Sequence, residues 1–166
     1  MCKLSICIPT YNGGEKLKNN IEMIINQILK SDIKDVELII SDNCSEDNTQ
    51  EIISDYVKKY PKIITYNRNN INLQFNGNIK KLIKLAKGKY IHLLGDDDFY
   101  LENGIQRILN VINADNTYSV IMASNNWFLE QAQKFASREE NMIYSGGGGR
   151  TLATRGFWQF YEEEIY

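Results

Sequence analysis

No run of apolar residues approaches the roughly 20 that span a bilayer, so a membrane-embedded class is excluded as the reading of this sequence. The N-terminus lacks the long apolar core of a signal peptide and turns polar at Thr10, which reads as a first strand in a cytoplasmic protein. Three cysteines, Cys2, Cys7 and Cys44, are odd in number and without metal-ligand spacing, which fits a reducing compartment and argues against zinc. The single histidine, His92, falls inside an apolar run and reads as a packed core residue. A net charge of -2 gives no ground for wholesale nucleic-acid binding.

What is present is a soluble globular composition, 43% hydrophobic over 166 residues, enough for one domain with a proper core. Short apolar runs alternate with helical spacing. Leu4–Pro9 reads as a buried strand closed by proline, and a helix follows from Glu15 with Leu17, Ile21, Ile24 and Ile28 on one face. Val36–Ile40 is a second strand. Asp47, as N-cap, opens a helix that Pro61 ends. Ile63–Tyr66 is a third strand, followed by a helix carrying Phe75, Ile79, Leu82 and Ile83 with Gly88 as its C-terminal stop. Tyr90–Leu94 is a fourth strand, a helix carries Ile105, Ile108, Leu109 and Ile112, and Ser119–Ala123 is a fifth strand. Such alternation predicts an α/β fold, a mostly parallel Rossmann-like sheet with helices on both faces. Ligands then bind at the carboxyl ends of the strands.

That rule selects three segments. Asp96, Asp97 and Asp98 follow the fourth strand; adjacent carboxylates there repel one another, and a divalent cation, Mg2+ or Mn2+, relieves the repulsion. A solvated acidic turn capping the next helix is the plainer alternative. Asp42, at the end of the second strand, can accept hydrogen bonds from a base or ribose. Tyr11, after Pro9 and Thr10, offers a face for base stacking or is packing. Lys80, Lys81, Lys84 and Lys87 form a solvated helix face, and Gly146–Gly149 reads as a hinge.

Three motifs, residues 5–12 (SICIPTYN), 39–49 (IISDNCSEDNT) and 88–98 (GKYIHLLGDDD), together resemble the pattern of glycosyltransferase family 2, over roughly residues 3 to 125. The resemblance implies a GT-A fold and an enzyme using a nucleotide-sugar donor, commonly a UDP sugar, with Mn2+ or Mg2+ and an inverting transfer. By motif position, Pro9, Thr10 and Tyr11 lie along the base, Asp42 hydrogen-bonds the uracil, Asp96 lies near the ribose, Asp97 is the main metal ligand and Asp98 supports it. Asn76 and Asn78 fall where the family closes over the nucleotide. Gly95 stands where the acidic signature often begins with aspartate, which shifts weight onto Asp97 and Asp98.

The expected organisation is a nucleotide-sugar-binding core over residues 1–125 and, over 126–166, an incomplete acceptor-side segment of a truncated chain. No catalytic base is identifiable; Glu162–Glu164 are weak candidates. The expected partners are the donor and a glycan or lipid-linked acceptor, with peripheral association at the inner face of the membrane and no nucleic acid. The competing readings are a degenerate nucleotide-binding domain without turnover and a nucleotidyltransferase. The latter is disfavoured because residues 9–12 carry no lysine or arginine.

Overall fold

In the computed structural model, which describes residues 2–114, four of the apolar runs form the strands β1 (Leu4–Thr10), β2 (Val36–Asp42), β3 (Ile64–Arg68) and β4 (Tyr90–Leu93). They alternate with α1 (Gly14–Lys30), α2 (Thr49–Lys59), α3 (Gln74–Leu85) and α4 (Gly104–Ala114). The compact unit that holds the sheet spans Met1–Asn110; of the second, from Val111, only residues 111–114 are described. Ser119–Ala123, read as a fifth strand, lies outside the described residues.

The sheet order is β3-β2-β1-β4, every pairing parallel. Right-handed connections put α1 and α2 on one face and α3, which crosses back over β2 and β1, on the other. Strand alternation divides the core accordingly. Cys7 and Ile39, paired across the ladder, meet Leu82 of α3 with Ile79, Leu85 and Ala86 around them. Ile6, Ile8, Leu38 and Ile40 point to the opposite face, and all four are fully buried. Leu17, Ile21, Ile24, Ile25 and Ile28 supply the buried stripe of α1.

Several boundaries differ from the sequence expectation for physical reasons. Pro9 lies inside β1 rather than closing it. Cys7 accepts from Leu94 N–H on the β4 side, so the missing donor of Pro9 faces the same side, where β4 has already ended and no ladder bond is lost. Asp47 does not cap α2. The cap position belongs to Asn48, while the Asp47 carboxylate accepts from the Thr49 N–H at 3.0 Å and from the Thr49 hydroxyl. Gly88 is not a left-handed helix stop either, because α3 ends at Ala86 with extended backbone. Gly88 is needed for contact: a Cβ there would sit 2.5 Å from the Ser5 nitrogen. Phe75, expected on the packed face of α3, is 71% exposed because it belongs to the first turn.

Candidate functional site

The carboxyl ends of β1, β2 and β3 stop in register, Thr10 opposite Asp42 and Asp42 opposite Arg68, so their loops leave the sheet side by side. Polar side chains tie these loops together. Asp42 is fully buried and both of its oxygens are engaged. Oδ1 accepts the Ser45 N–H at 2.8 Å; Oδ2 accepts the Tyr66 hydroxyl at 2.8 Å and pairs with Arg68 Nε at 3.4 Å. Arg68 also donates to the Ser45 carbonyl at 2.9 Å. Burial and the bond to Asp42 push the Tyr66 phenol above its ordinary pKa. Oδ1 keeps one acceptor position beyond the Ser45 N–H, but the side chain is fully buried and most of its hydrogen bonding goes to protein.

A second network is built of amides. Asn78, 2% exposed, donates to the Ser41 carbonyl at 2.9 Å, and its Oδ1 accepts from the Ser41 hydroxyl and from Asn69 Nδ2. Asn69 also reaches Asn43, whose Oδ1 accepts the Leu73 N–H at 2.8 Å and so fixes the start of α3. Asn78 thus sits beneath the rim with its hydrogen bonds spent on protein, whereas Asn76 is exposed. At the β1 end, Tyr11 is 46% exposed and open for contact. Asn12, at φ 56°, donates its N–H to Ser45 Oγ and accepts the Glu46 N–H.

The acidic loop joins this rim through one bond, the Thr10 hydroxyl donating to Asp96 Oδ2 at 2.7 Å. Gly13 permits it, since a Cβ there would lie 2.4 Å from that hydroxyl. Burial raises the Asp96 pKa; the Thr10 bond opposes this and the charge of Asp97 adds to it. Asp98 folds back so that Oδ2 accepts the Gly95 N–H at 3.2 Å, and a Cβ at residue 95 would stand 2.7 Å from that oxygen. The glycine at this position is thus what allows the turn. Asp97 is exposed. Among the described residues no three His, Cys, Asp or Glu side chains converge as a metal cage. Mg2+ and Mn2+ sites at phosphates need only one or two carboxylates, with phosphate oxygens and water completing the shell, and Asp97 with Asp98 fits that donor set.

Sequence reasoning missed the side chains that hold this loop from below. Asn20 is fully buried on the apolar stripe of α1 and donates to the Gly95 carbonyl at 2.9 Å, leaving its own Oδ1 without a partner. Gln27 of the same helix donates to the Leu101 carbonyl and accepts the Ile105 N–H. An asparagine three residues after Leu17, where an apolar residue belongs, was the available signal. His92 of β4 meets the Tyr100 hydroxyl through Nδ1, joining the two ends of the acidic loop.

Burial lowers the His92 pKa to about 4. Between that value and the ordinary 6.5 the unfolded chain binds a proton that the folded chain refuses, so stability falls as pH drops through this window. His92→Gln should flatten that part of a urea-denaturation series run from pH 7 to pH 4. An unchanged slope would show that His92 is protonated normally in the folded protein.

The model of glycosyl transferase family 2 matches residues 5–159. The chain belongs to glycosyl transferase family 2. An abequosyltransferase of Salmonella typhimurium is 40% identical over 95 residues, 57% of this chain and 28% of that protein. A poly(ribitol-phosphate) beta-N-acetylglucosaminyltransferase of Staphylococcus aureus is 32% identical over 126 residues, 73% of this chain and 36% of that protein. The chain thus spans about a third of the length of these curated relatives. Among solved structures, a Pyrobaculum calidifontis mannosyltransferase in complex with GDP-Man and Mn2+ superposes with a TM-score of 0.65 at 16% identity, covering 75% of this chain and 36% of that one. S. aureus TarS in complex with UDP-GlcNAc gives 0.62 at 19% identity, with 74% and 34% covered. These likenesses establish the GT-A fold for this family 2 chain, with its acidic loop at the carboxyl edge of the sheet.

Proposed function

We propose that this chain is the donor-binding part of a glycosyltransferase that moves a sugar from a nucleoside diphosphate, a UDP sugar, to a glycan or lipid-linked acceptor with inversion. The observation that supports this reading is the Thr10–Asp96 bond, which ties the acidic loop to the end of β1, beside the end of β2. In this assignment the core extends over residues 1–125, and residues 126–166 belong to the acceptor side. Tyr11 stacks on the base, beside Pro9 and Thr10. Asp42 anchors the base end of the rim, Asn78 holds that rim in place, and Asp96 lies against the ribose. Asp97, with Asp98, holds Mn2+ or Mg2+, which would neutralise the departing diphosphate.

The transfer requires the acceptor hydroxyl to attack the anomeric carbon in line with the bond to the diphosphate. As the new C–O bond forms, the old one breaks, the hydroxyl proton passes to a general base and the nucleoside diphosphate leaves. No residue described here is assigned as that base; Glu162–Glu164 lie outside the described residues. The protein works at the cytoplasmic face of a membrane in this reading.

The test is a thermal-unfolding panel of UDP, GDP and ADP, each with and without Mn2+. UDP at 100 times its dissociation constant should add about 2.7 kcal/mol, with a larger shift when Mn2+ is present. If no nucleoside diphosphate moves the transition, the donor assignment fails.

A further inference from the structure

Residues 56–95 contain no aspartate or glutamate but nine lysines and arginines, while the rest of the chain holds all 21 acids against ten basic residues. A net charge of -2 therefore conceals two strongly opposed regions. Pairing sets apart only part of the basic region, since its Lys58 and Arg68 are ion-paired. Lys3, Lys18, Lys30, Lys34 and Lys58 each lie within 3.5 Å of a carboxylate. Lys80, Lys84 and Lys87 are exposed and have no ion-pair partner among the described residues.

These lysines belong to α3 and its exit. Asn78 and Leu82 face the sheet, so Leu73, Lys80 and Lys84, spaced by seven and four residues, run along the opposite stripe. Beyond the N-terminal end of that stripe the segment 71–75 is apolar on its surface, Ile71 65%, Leu73 38% and Phe75 71% exposed, with Phe75 on the sheet-facing phase but in the first turn. This apolar tip is not loose. Leu73 is tied to Asn43 through its N–H, and Gln74 accepts from the same side chain through its carbonyl. The tip is therefore part of the rim of the donor crevice.

We propose that α3 and residues 71–75 dock on an anionic lipid surface. Three exposed apolar side chains at one end of an unpaired cationic stripe match a bilayer whose headgroups are negative and whose interior is apolar. A soluble polyanion would satisfy the lysines and leave Ile71, Leu73 and Phe75 in water. Docking in this way sets the carboxyl edge of the sheet, with Tyr11 and the acidic loop, beside the headgroups. A lipid-linked acceptor could then present its hydroxyl there without leaving the membrane. That last consequence rests on the transferase reading; the docking itself does not.

Sedimentation of the 166-residue chain with phosphatidylglycerol vesicles, phosphatidylcholine vesicles or soluble polyphosphate tests this without any nucleotide, so its outcome and that of the donor assignment are independent. The chain should pellet with phosphatidylglycerol and not with phosphatidylcholine, and release as salt rises. K80Q/K84Q/K87Q should bind phosphatidylglycerol roughly hundredfold more weakly. F75S should weaken vesicle binding while leaving polyphosphate binding unchanged. Equal binding to both lipids, no binding to phosphatidylglycerol at low salt, or an F75S variant that pellets like the parent would overturn the proposal. The last result, combined with tight polyphosphate binding, would make this a face for an anionic polymer.

Discussion

An Asp97→Ala variant should bind UDP equally well in the presence and absence of Mn2+. Asp97 is the exposed carboxylate of the acidic loop, while Asp96 is engaged by Thr10 and Asp98 by the Gly95 N–H. Removing it takes away the ligand free to reach a cation shared with the diphosphate. Even groups that merely orient metal ligands are worth about 10- to 100-fold in metal affinity, so the loss at a ligand should reach at least that range. The fold should survive, since an exposed carboxylate beside two others contributes repulsion rather than packing. Calorimetric titration of UDP with and without Mn2+ reads the coupling directly. A retained Mn2+ effect would move the ligand role to another residue.

The largest effect on stability is expected at Asp42. Its carboxylate is fully buried and joins the β2 end to Ser45, Tyr66 and Arg68. Asp42→Ala leaves a buried N–H, a half-covered phenol and a guanidinium without their common acceptor. Breaking a buried pair by deleting one partner costs about 3–5 kcal/mol; the side chain of Arg68 is 35% exposed and can recover some hydration, which places the cost near the lower bound. Against a total stability of about 5–15 kcal/mol that is a large fraction. Asp42→Asn, which keeps an acceptor for Ser45, should cost less. Urea denaturation of the two variants decides it, and a loss below about 1 kcal/mol for alanine would mean that water replaces the carboxylate.

The sheet was legible because buried parallel strands are written as apolar runs; Leu4, Val36 and Tyr90 open three of them where the pattern begins, and Ile64 opens β3 one residue after it. The ends were less legible. Thr10, Ser41, Asp42, Asn67 and Arg68 continue the ladder although they are polar, because hydrogen bonds to the neighbouring loops and not apolar packing satisfy the strand ends. Residue type placed Asp96, Asp97 and Asp98 on one loop. It could not say that their side chains diverge, Asp96 toward Thr10 and Asp98 back toward Gly95, because that depends on a glycine turn and a partner 86 residues away. Phe75 had the right helical phase but sits beyond the part of α3 that covers the sheet, a matter of depth that periodicity does not encode. Gln27 was invisible for the opposite reason, since it looks like an ordinary helix polar residue until the loop it holds is in place, whereas Asn20 differed only by standing on the apolar stripe.

The amide network under the rim has a consequence for how the two proposed interactions can vary. Ser41, Asn43, Asn69 and Asn78 hold the β2 and β3 loops to α3 with groups that carry no charge at any ordinary pH. Salt screens ion pairs between exposed charges and leaves buried neutral hydrogen bonds nearly untouched. Ionic strength or lipid charge can therefore govern how strongly the lysine stripe adheres, while the shape of the crevice beside it stays constant. In the proposed docking, the charged lysine stripe can thus respond to ionic strength while the neutral amide network holding the neighbouring loops does not.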